Sequence, residues 1–251
     1  MATDTILEAR GLTKEFKGFV AVAGVDLQIR RGTVHALIGP NGAGKTTCFN
    51  LLTHFLTPTS GAIIFNGKDI TGSAPAAIAR MGMVRSFQIS AVFPHLTVLE
   101  NVRLALQRRR GRSMDFWRSD QLLHALDDRA RALLDAVGLT DFEQRLAVEL
   151  PYGRKRALEI ATTLALEPEL MLLDEPTAGM TQEDVERITA LIKQVAAERT
   201  VLMVEHNLEV VAALCHRITV LARGEVLAEG DYQTVSKNPA VIEAYLGAGH
   251  A

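Results

Sequence analysis

Residues Gly39-Pro40-Asn41-Gly42-Ala43-Gly44-Lys45-Thr46-Thr47 combine a pliable backbone, a cation and two hydroxyls in one short run. Glycines let a chain fold back and aim successive N–H groups at an anion. A lysine so placed reaches the outer phosphates of a nucleotide, and the hydroxyl after it can hold Mg²⁺. An apolar stretch, residues 33–38, precedes the run, and a helix-like one, residues 47–52, follows it. Strand, glycine loop, lysine, hydroxyl and helix describe a phosphate-binding loop, to which the helix adds its positive dipole end. The pattern implies ATP or GTP with magnesium. Alone it serves a kinase, a GTPase or a motor ATPase equally well.

Two further sites stand at the ends of apolar runs. Leu170-Met171-Leu172-Leu173 precedes Asp174 and Glu175, and Val201-Leu202-Met203-Val204 precedes Glu205 and His206. In an open parallel sheet, ligands bind beyond the carboxyl ends of the strands. Asp174 there can engage a magnesium ion held by Thr46. Glu175 can orient or deprotonate a water at the γ-phosphate. The plainer reading of the pair is a surface loop that opens on acids. A lone histidine after a strand is ordinarily a solvated loop residue, so position alone leaves His206 undecided.

These groups need a parallel sheet to hold them. The unbroken apolar runs at 170–173 and 201–204 suit strands buried on both faces. Helical spacing over 183–197 and 208–214 supplies connections. Ile218-Thr219-Val220-Leu221 and Glu225-Val226-Leu227-Ala228 flank Arg223-Gly224, a hairpin signal. Near the start, short strands are expected over 6–9 and 20–29, interrupted by Gly11, Gly18 and Gly24, with Phe16 and Phe19 between them. Another strand fits 62–65, a helix fits 75–81, and 83–87 reads as extended. From Thr97 to Leu166 the texture turns helical. Leu99, Val102, Leu104 and Leu106 begin one amphipathic segment, a basic break follows at 108–112, and a second segment runs from Leu122 to Val137 with Gly138 as its stop. Residues 152–166 form another helix, and a short one spans 239–246. The middle looks like a helical insertion within an α/β domain.

Bulk composition narrows the class. The 251 residues are 48% hydrophobic and 22% charged, the balance of a folded globular chain. A formal net charge of −2 gives no general pull toward nucleic acid or anionic lipid. Cys48 and Cys215 lack metal-ligand spacing and read as small buried residues in a reducing compartment. The first residues lack the basic start and apolar core of a signal peptide. No apolar run approaches the roughly 20 residues that span a bilayer, so any service to a membrane would be by docking.

Taken in order, the phosphate loop, Gln88, the loop Leu150-Pro151-Tyr152-Gly153-Arg154, the Asp174-Glu175 pair and His206 resemble the nucleotide-binding subunit of ATP-binding cassette transporters over nearly the whole chain. That resemblance implies an α/β P-loop NTPase core with an N-terminal antiparallel β subdomain and an inserted α-helical subdomain. It divides the single domain into core segments 1–88 and 167–235, an inserted helical subdomain 89–166 carrying the signature loop, and a C-terminal helix in 236–251. It implies ATP and Mg²⁺, with Gln88 touching both the metal and the attacking water. It implies Phe16 as the aromatic that stacks on adenine, Phe19 being the second choice. It implies Gly153 as the signature glycine that meets the γ-phosphate held by an opposite subunit, so that two copies sandwich two ATP molecules.

The likeness is closest to ATPases of bacterial branched-chain amino-acid importers, carried by the tyrosine-containing signature, the long helical insertion and the ending Asn238-Pro239-Ala240-Val241-Ile242-Glu243-Ala244-Tyr245-Leu246-Gly247. Partners implied are a second ATPase subunit, transmembrane permease subunits and, indirectly, a solute-binding protein, at the cytoplasmic face of the inner membrane. Lipopolysaccharide export and a soluble non-transport cassette are the alternatives. The chain departs from the family pattern at Pro151, where a serine is usual, at Tyr152, which replaces a glycine, and at Thr181, where an aspartate is common.

Overall fold

The computed structural model describes residues 4–86, 92–109 and 126–247. Two sheets organise them. The first is antiparallel and has the order β2-β1-β4-β5, from β1 (Thr5–Phe16), β2 (Phe19–Arg30), β4 (Ser60–Phe65) and β5 (Lys68–Asp69). The second has the order β10-β9-β3-β8-β7-β6, from β3 (Val34–Ile38), β6 (Met83–Ser86), β7 (Leu170–Asp174), β8 (Thr200–Val204), β9 (Arg217–Ala222) and β10 (Glu225–Gly230). Its strands run parallel except for the β9–β10 hairpin.

The period of two along the strands sorts side chains onto two cores. Met171, Leu173, Val201 and Met203 face one side; Leu170, Leu172, Leu202 and Val204 face the other. Helix α1 (Lys45–Leu52) packs Cys48, Phe49, Leu51 and Leu52 into the second core, together with the first sheet. The first core takes the remaining long helices: α3 (Val98–Arg109), α4 (Asp127–Ala136), α5 (Tyr152–Leu164), α6 (Gln182–Ala196) and α7 (Leu208–Leu214). Between α1 and α3 lies the short α2 (Pro75–Arg80); α8 (Tyr232–Ser236) and α9 (Pro239–Gly247) close the chain.

The early strands are longer than the sequence suggests. Gly11 (φ 56°) and Gly24 (φ 64°) do not end them. They sit where the ladder slips register, and their N–H groups turn to the Asp26 carboxylate (2.7 Å) and the Thr13 hydroxyl (3.0 Å). A glycine reads as an interruption by its backbone freedom, but that freedom also builds bulges inside a strand. Phe16 and Phe19 likewise do not lie between strands. They end β1 and begin β2, opposite each other across Lys17-Gly18 (φ 48° and 91°), a two-residue turn of the kind that matches strand twist. On α3, Leu99, Val102 and Leu106 are buried, while Leu104 is on the outer face. Residues 122–125 and 110–112 lie outside the described residues.

Candidate active site

The strand register draws the chemistry to one edge. Leu37 pairs with Val204, and Val204 pairs with Asp174, so β3, β8 and β7 end in one row. The glycine loop leaves β3 there, Glu205-His206 leaves β8, and Asp174-Glu175 leaves β7. Ser86 pairs with Leu173 at the same edge, where β6 ends. Gln88 lies outside the described residues.

The loop from Gly39 to Gly44 is held in a tight seat. A Cβ on Gly39 (φ 150°) would stand 2.1 Å from the Leu221 carbonyl oxygen, and one on Gly44 (φ 97°) 2.6 Å from that of Ala21. Gly224, in the β9–β10 turn, donates its N–H to Ala43 O (3.0 Å) and accepts from Ala23 N–H (2.8 Å). The hairpin is therefore the floor of the loop. Asn41, Gly42 and Thr46 are exposed. Gly44 precedes α1 without a side-chain cap, which leaves first-turn N–H groups to a ligand. Lys45 Nζ donates to Gly39 O (2.7 Å) and Pro40 O (3.0 Å). Partial burial lowers its pKa, and the charge of Glu175 opposes that shift. Lys45 thus lies within electrostatic reach of Glu175 across the edge.

Asp174 is only 1% exposed. Its Oδ2 accepts from Arg85 Nη2 at 2.5 Å and its main-chain oxygen from Arg156 Nη2 at 2.7 Å. Glu175 follows with φ 45°, the left-handed region that a side chain adopts at a cost of order 1 kcal/mol or more. Its N–H donates to Val204 O (2.9 Å), which fixes the turn. Behind it, the Thr177 hydroxyl donates to the buried Glu205 carboxylate. The His206 side chain is 60% exposed at the same edge.

A magnesium site is tested by its donor chemistry. Mg²⁺ takes hard oxygen ligands, and one or two carboxylates plus substrate phosphates suffice. The Asp174 carboxylate and the Thr46 hydroxyl are such donors. Among the described residues no cluster of three or more His, Cys, Asp or Glu could hold a metal by itself. Donors and demand fit a metal that arrives with phosphate. Cys48, behind the loop, is fully buried and its thiol is pushed up to about 12 by burial, so it stays unreactive.

The remaining assigned residues lie on other elements. Tyr152 and Gly153 open α5 behind Pro151, which offers no side-chain cap. Tyr152 is exposed. Gly153 lies against Asp184 of α6: an added Cβ would stand 2.5 Å from its carboxylate. Thr181, the departure in the next loop, caps α6 by accepting from Asp184 N–H (3.3 Å), a task an aspartate would also perform. Phe16 is 42% exposed at the hairpin tip and lies under Lys14 Nζ, 5.1 Å from the ring centre.

Sequence reasoning gave no site role to Arg85, Arg156 or Glu205, and it read Gly224 as a hairpin turn without its bond to the phosphate loop. Arg85 and Arg156 look like surface cations in a sequence, and only the fold shows Arg156 buried and Arg85 half-buried, both bonded to Asp174. Glu205 was adjacent to a singled-out histidine, and its position at the end of an apolar run carried the same signal as Asp174.

The comparisons bear on the whole chain. A family model described as ABC transporter matches residues 22–178, and one described as branched-chain amino acid ATP-binding cassette transporter matches residues 225–251. The high-affinity branched-chain amino acid transport ATP-binding protein BraF of Pseudomonas aeruginosa is 40% identical over 252 residues, 96% of this chain and 98% of its own. LivG of Escherichia coli, of the same description, is 38% identical over 96% of this chain and 98% of its own. Among solved structures, the ADP conformation of an ATP-binding cassette of an ABC transporter superposes with a TM-score of 0.84 at 30% identity, covering 98% of this chain and all of that one. A dimeric post-hydrolysis cassette bound to ADP and Pi gives 0.76 at 26% identity, covering 90% of this chain and 99% of that one.

Proposed function

The chain belongs to the ATP-binding cassette transporter family as an ATP-hydrolysing subunit, and we propose that it powers a bacterial importer of branched-chain or related amino acids or amides. The relatives that support this carry that solute class in their descriptions. No helix among the described residues is long and apolar enough to cross a membrane. On this reading the chain acts on separate permease subunits, docked at the cytoplasmic face of the inner membrane, with a solute-binding protein supplying the cargo.

The observation that carries the reading is the Leu37–Val204–Asp174 register, which puts the phosphate loop, the acid pair and His206 on one edge. Residues 39–47 hold the phosphates of ATP, with Lys45 leaving Gly39 O and Pro40 O for the β- and γ-oxygens. Thr46, Gln88 and Asp174 would hold magnesium, which would supply neutralisation of the phosphate charge. Phe16 stacks on adenine. Glu175 takes the proton of the attacking water and His206 positions it, while Gly153 of a second ATPase subunit approaches from across the dimer. Positioning and charge stabilisation carry the rate.

The test is a transporter reassembled from this chain, its partner ATPase and the neighbouring permeases. Leucine-stimulated ATP turnover is expected. Glu175→Gln is expected to reduce it by about 100-fold or more and to leave an ATP-bound dimer on gel filtration. Full turnover in Glu175→Gln refutes the base; turnover that responds to no branched-chain solute or amide refutes the cargo class.

A further inference from the structure

The buried carboxylate of Glu205 has no task in the scheme above. It is fully buried, 0% exposed. A charge in that position is unfavourable unless hydrogen bonds satisfy it. Its partners are dipoles. Oε1 accepts from the Thr177 hydroxyl, and Oε2 accepts from the N–H groups of His206 (2.8 Å) and Asn207 (3.4 Å). Among the described residues, the one basic side chain within ion-pair distance is the imidazole of His206, with Nδ1 at 3.7 Å from Oε2.

Two consequences follow from this placement. Thr177 lies two residues after Glu175 and His206 one residue after Glu205, so a single carboxylate ties the turn of the acid to the turn of the histidine. The main-chain bond from Glu175 N–H to Val204 O joins the same two turns. The carboxylate also stands behind one ring nitrogen. A carboxylate there keeps a proton on Nδ1 and turns Nε2 outward. The 3.7 Å separation is longer than a hydrogen bond, and such bonds commonly tighten only when substrate is bound.

We infer that Glu205 is a positioning residue for hydrolysis: it holds His206 with Nδ1 protonated and Nε2 toward the nucleotide, and it locks that loop to the one carrying Glu175. The inference rests on the assignment of His206 to the γ-phosphate edge.

Glu205→Gln is the variant of choice. Its amide can donate to the Thr177 hydroxyl and its carbonyl can accept from His206 N–H, so the fold keeps its bonds and loses the charge. In the reassembled transporter, turnover is expected to fall by about 10- to 100-fold, with ADP affinity and melting temperature of the cassette unchanged. Long-range ¹H–¹⁵N spectra of the ADP-bound cassette, with His206 assigned by its loss in His206→Gln, should show Nδ1 protonated in the wild type and the proton moving toward Nε2 in Glu205→Gln. Wild-type turnover in Glu205→Gln overturns the inference, as does an Nε2–H tautomer in the wild type. A variant that loses ADP binding or melts early marks Glu205 as merely structural and also overturns it. Full turnover in His206→Gln would instead refute the site assignment on which the inference stands, whereas an inactive His206→Gln beside a fully active Glu205→Gln refutes the inference alone.

Discussion

Arg85 and Asp174 meet at 2.5 Å across the neighbouring strands β6 and β7, with side chains 10% and 1% exposed. The same guanidinium donates to Asn50 Oδ1 on α1 at 2.5 Å and lies over the rings of Phe49 (5.2 Å) and Phe55 (5.6 Å). One cation therefore joins the helix of the phosphate loop to the carboxylate proposed for magnesium. A planar, multiply donating group suits three partners at once, as a lysine would not.

Removing one partner of a buried pair leaves the other charge uncompensated, which typically costs about 3–5 kcal/mol. Arg85→Met should lower the urea-unfolding free energy of the nucleotide-free cassette by an amount of that order. Arg85→Met combined with Asp174→Asn should recover a large part of the loss, because no buried charge then lacks its partner. Equal losses in the single and double variants would show that the guanidinium acts by packing on Phe49 and Phe55 alone.

Gly153 reverses the usual sign of a helical glycine substitution. Glycine to alanine within a helix ordinarily stabilises by about 0.5–1 kcal/mol. Here the new Cβ meets the Asp184 carboxylate at 2.5 Å. That carboxylate is pinned by Arg187 (2.7 Å) and by the Thr181 hydroxyl (3.2 Å), so it has little room to yield. Gly153→Ala should lower the melting temperature, and Gly153→Ala with Asp184→Ala should restore it. A higher melting temperature in the single variant would contradict the packing described.

How far the sequence spoke depended on the physical range of each signal. The phosphate loop, the acid pair and the Arg223-Gly224 hairpin were legible because their geometry is local: positive-φ glycines, a strand of unbroken apolar residues, a two-residue turn. The row formed by Leu37, Val204 and Asp174 was not legible, since it depends on β3 lying between β8 and β9. The contacts of Arg85 and Arg156 with Asp174 were equally hidden, because they are set by elements distant in the chain. Thr181, read as a departure in the loop after the acid pair, has a local explanation as the cap of α6.

Phe16 and Phe19 oppose each other at one hairpin tip, yet they are proposed to differ in function. Phe16 is 42% exposed and Phe19 68%. Stacking on a base contributes about 1–3 kcal/mol by alanine substitution. Phe16→Ala should therefore weaken ADP binding roughly tenfold or more, measured by calorimetry on the isolated cassette, while Phe19→Ala should change it little. Equal losses at both positions would mean that the pair forms one platform.

His35 supplies a pH dependence that is separate from catalysis. It is fully buried on β3, with Nε2 2.8 Å from the Thr219 hydroxyl. Burial, aided by the charge of Arg217, lowers its pKa from 6.5 to about 3. Arg217 is itself paired with Glu229. The folded chain thus keeps this imidazole neutral while the unfolded chain binds a proton below pH 6.5. The native state takes up fewer protons than the unfolded one, so stability rises with pH through this window. The contribution is intact above pH 6.5, is lost progressively as pH falls, and levels off below about 3. Each pH unit in the window is worth up to about 1.4 kcal/mol. His35→Gln can keep a bond to Thr219 without titrating. Carboxylates act alike in both proteins, so the difference in unfolding free energy between wild type and His35→Gln isolates the imidazole. That difference should shift against the wild type by about 3 kcal/mol from pH 7 to pH 4. Parallel curves over that range would mean that His35 is protonated inside the fold.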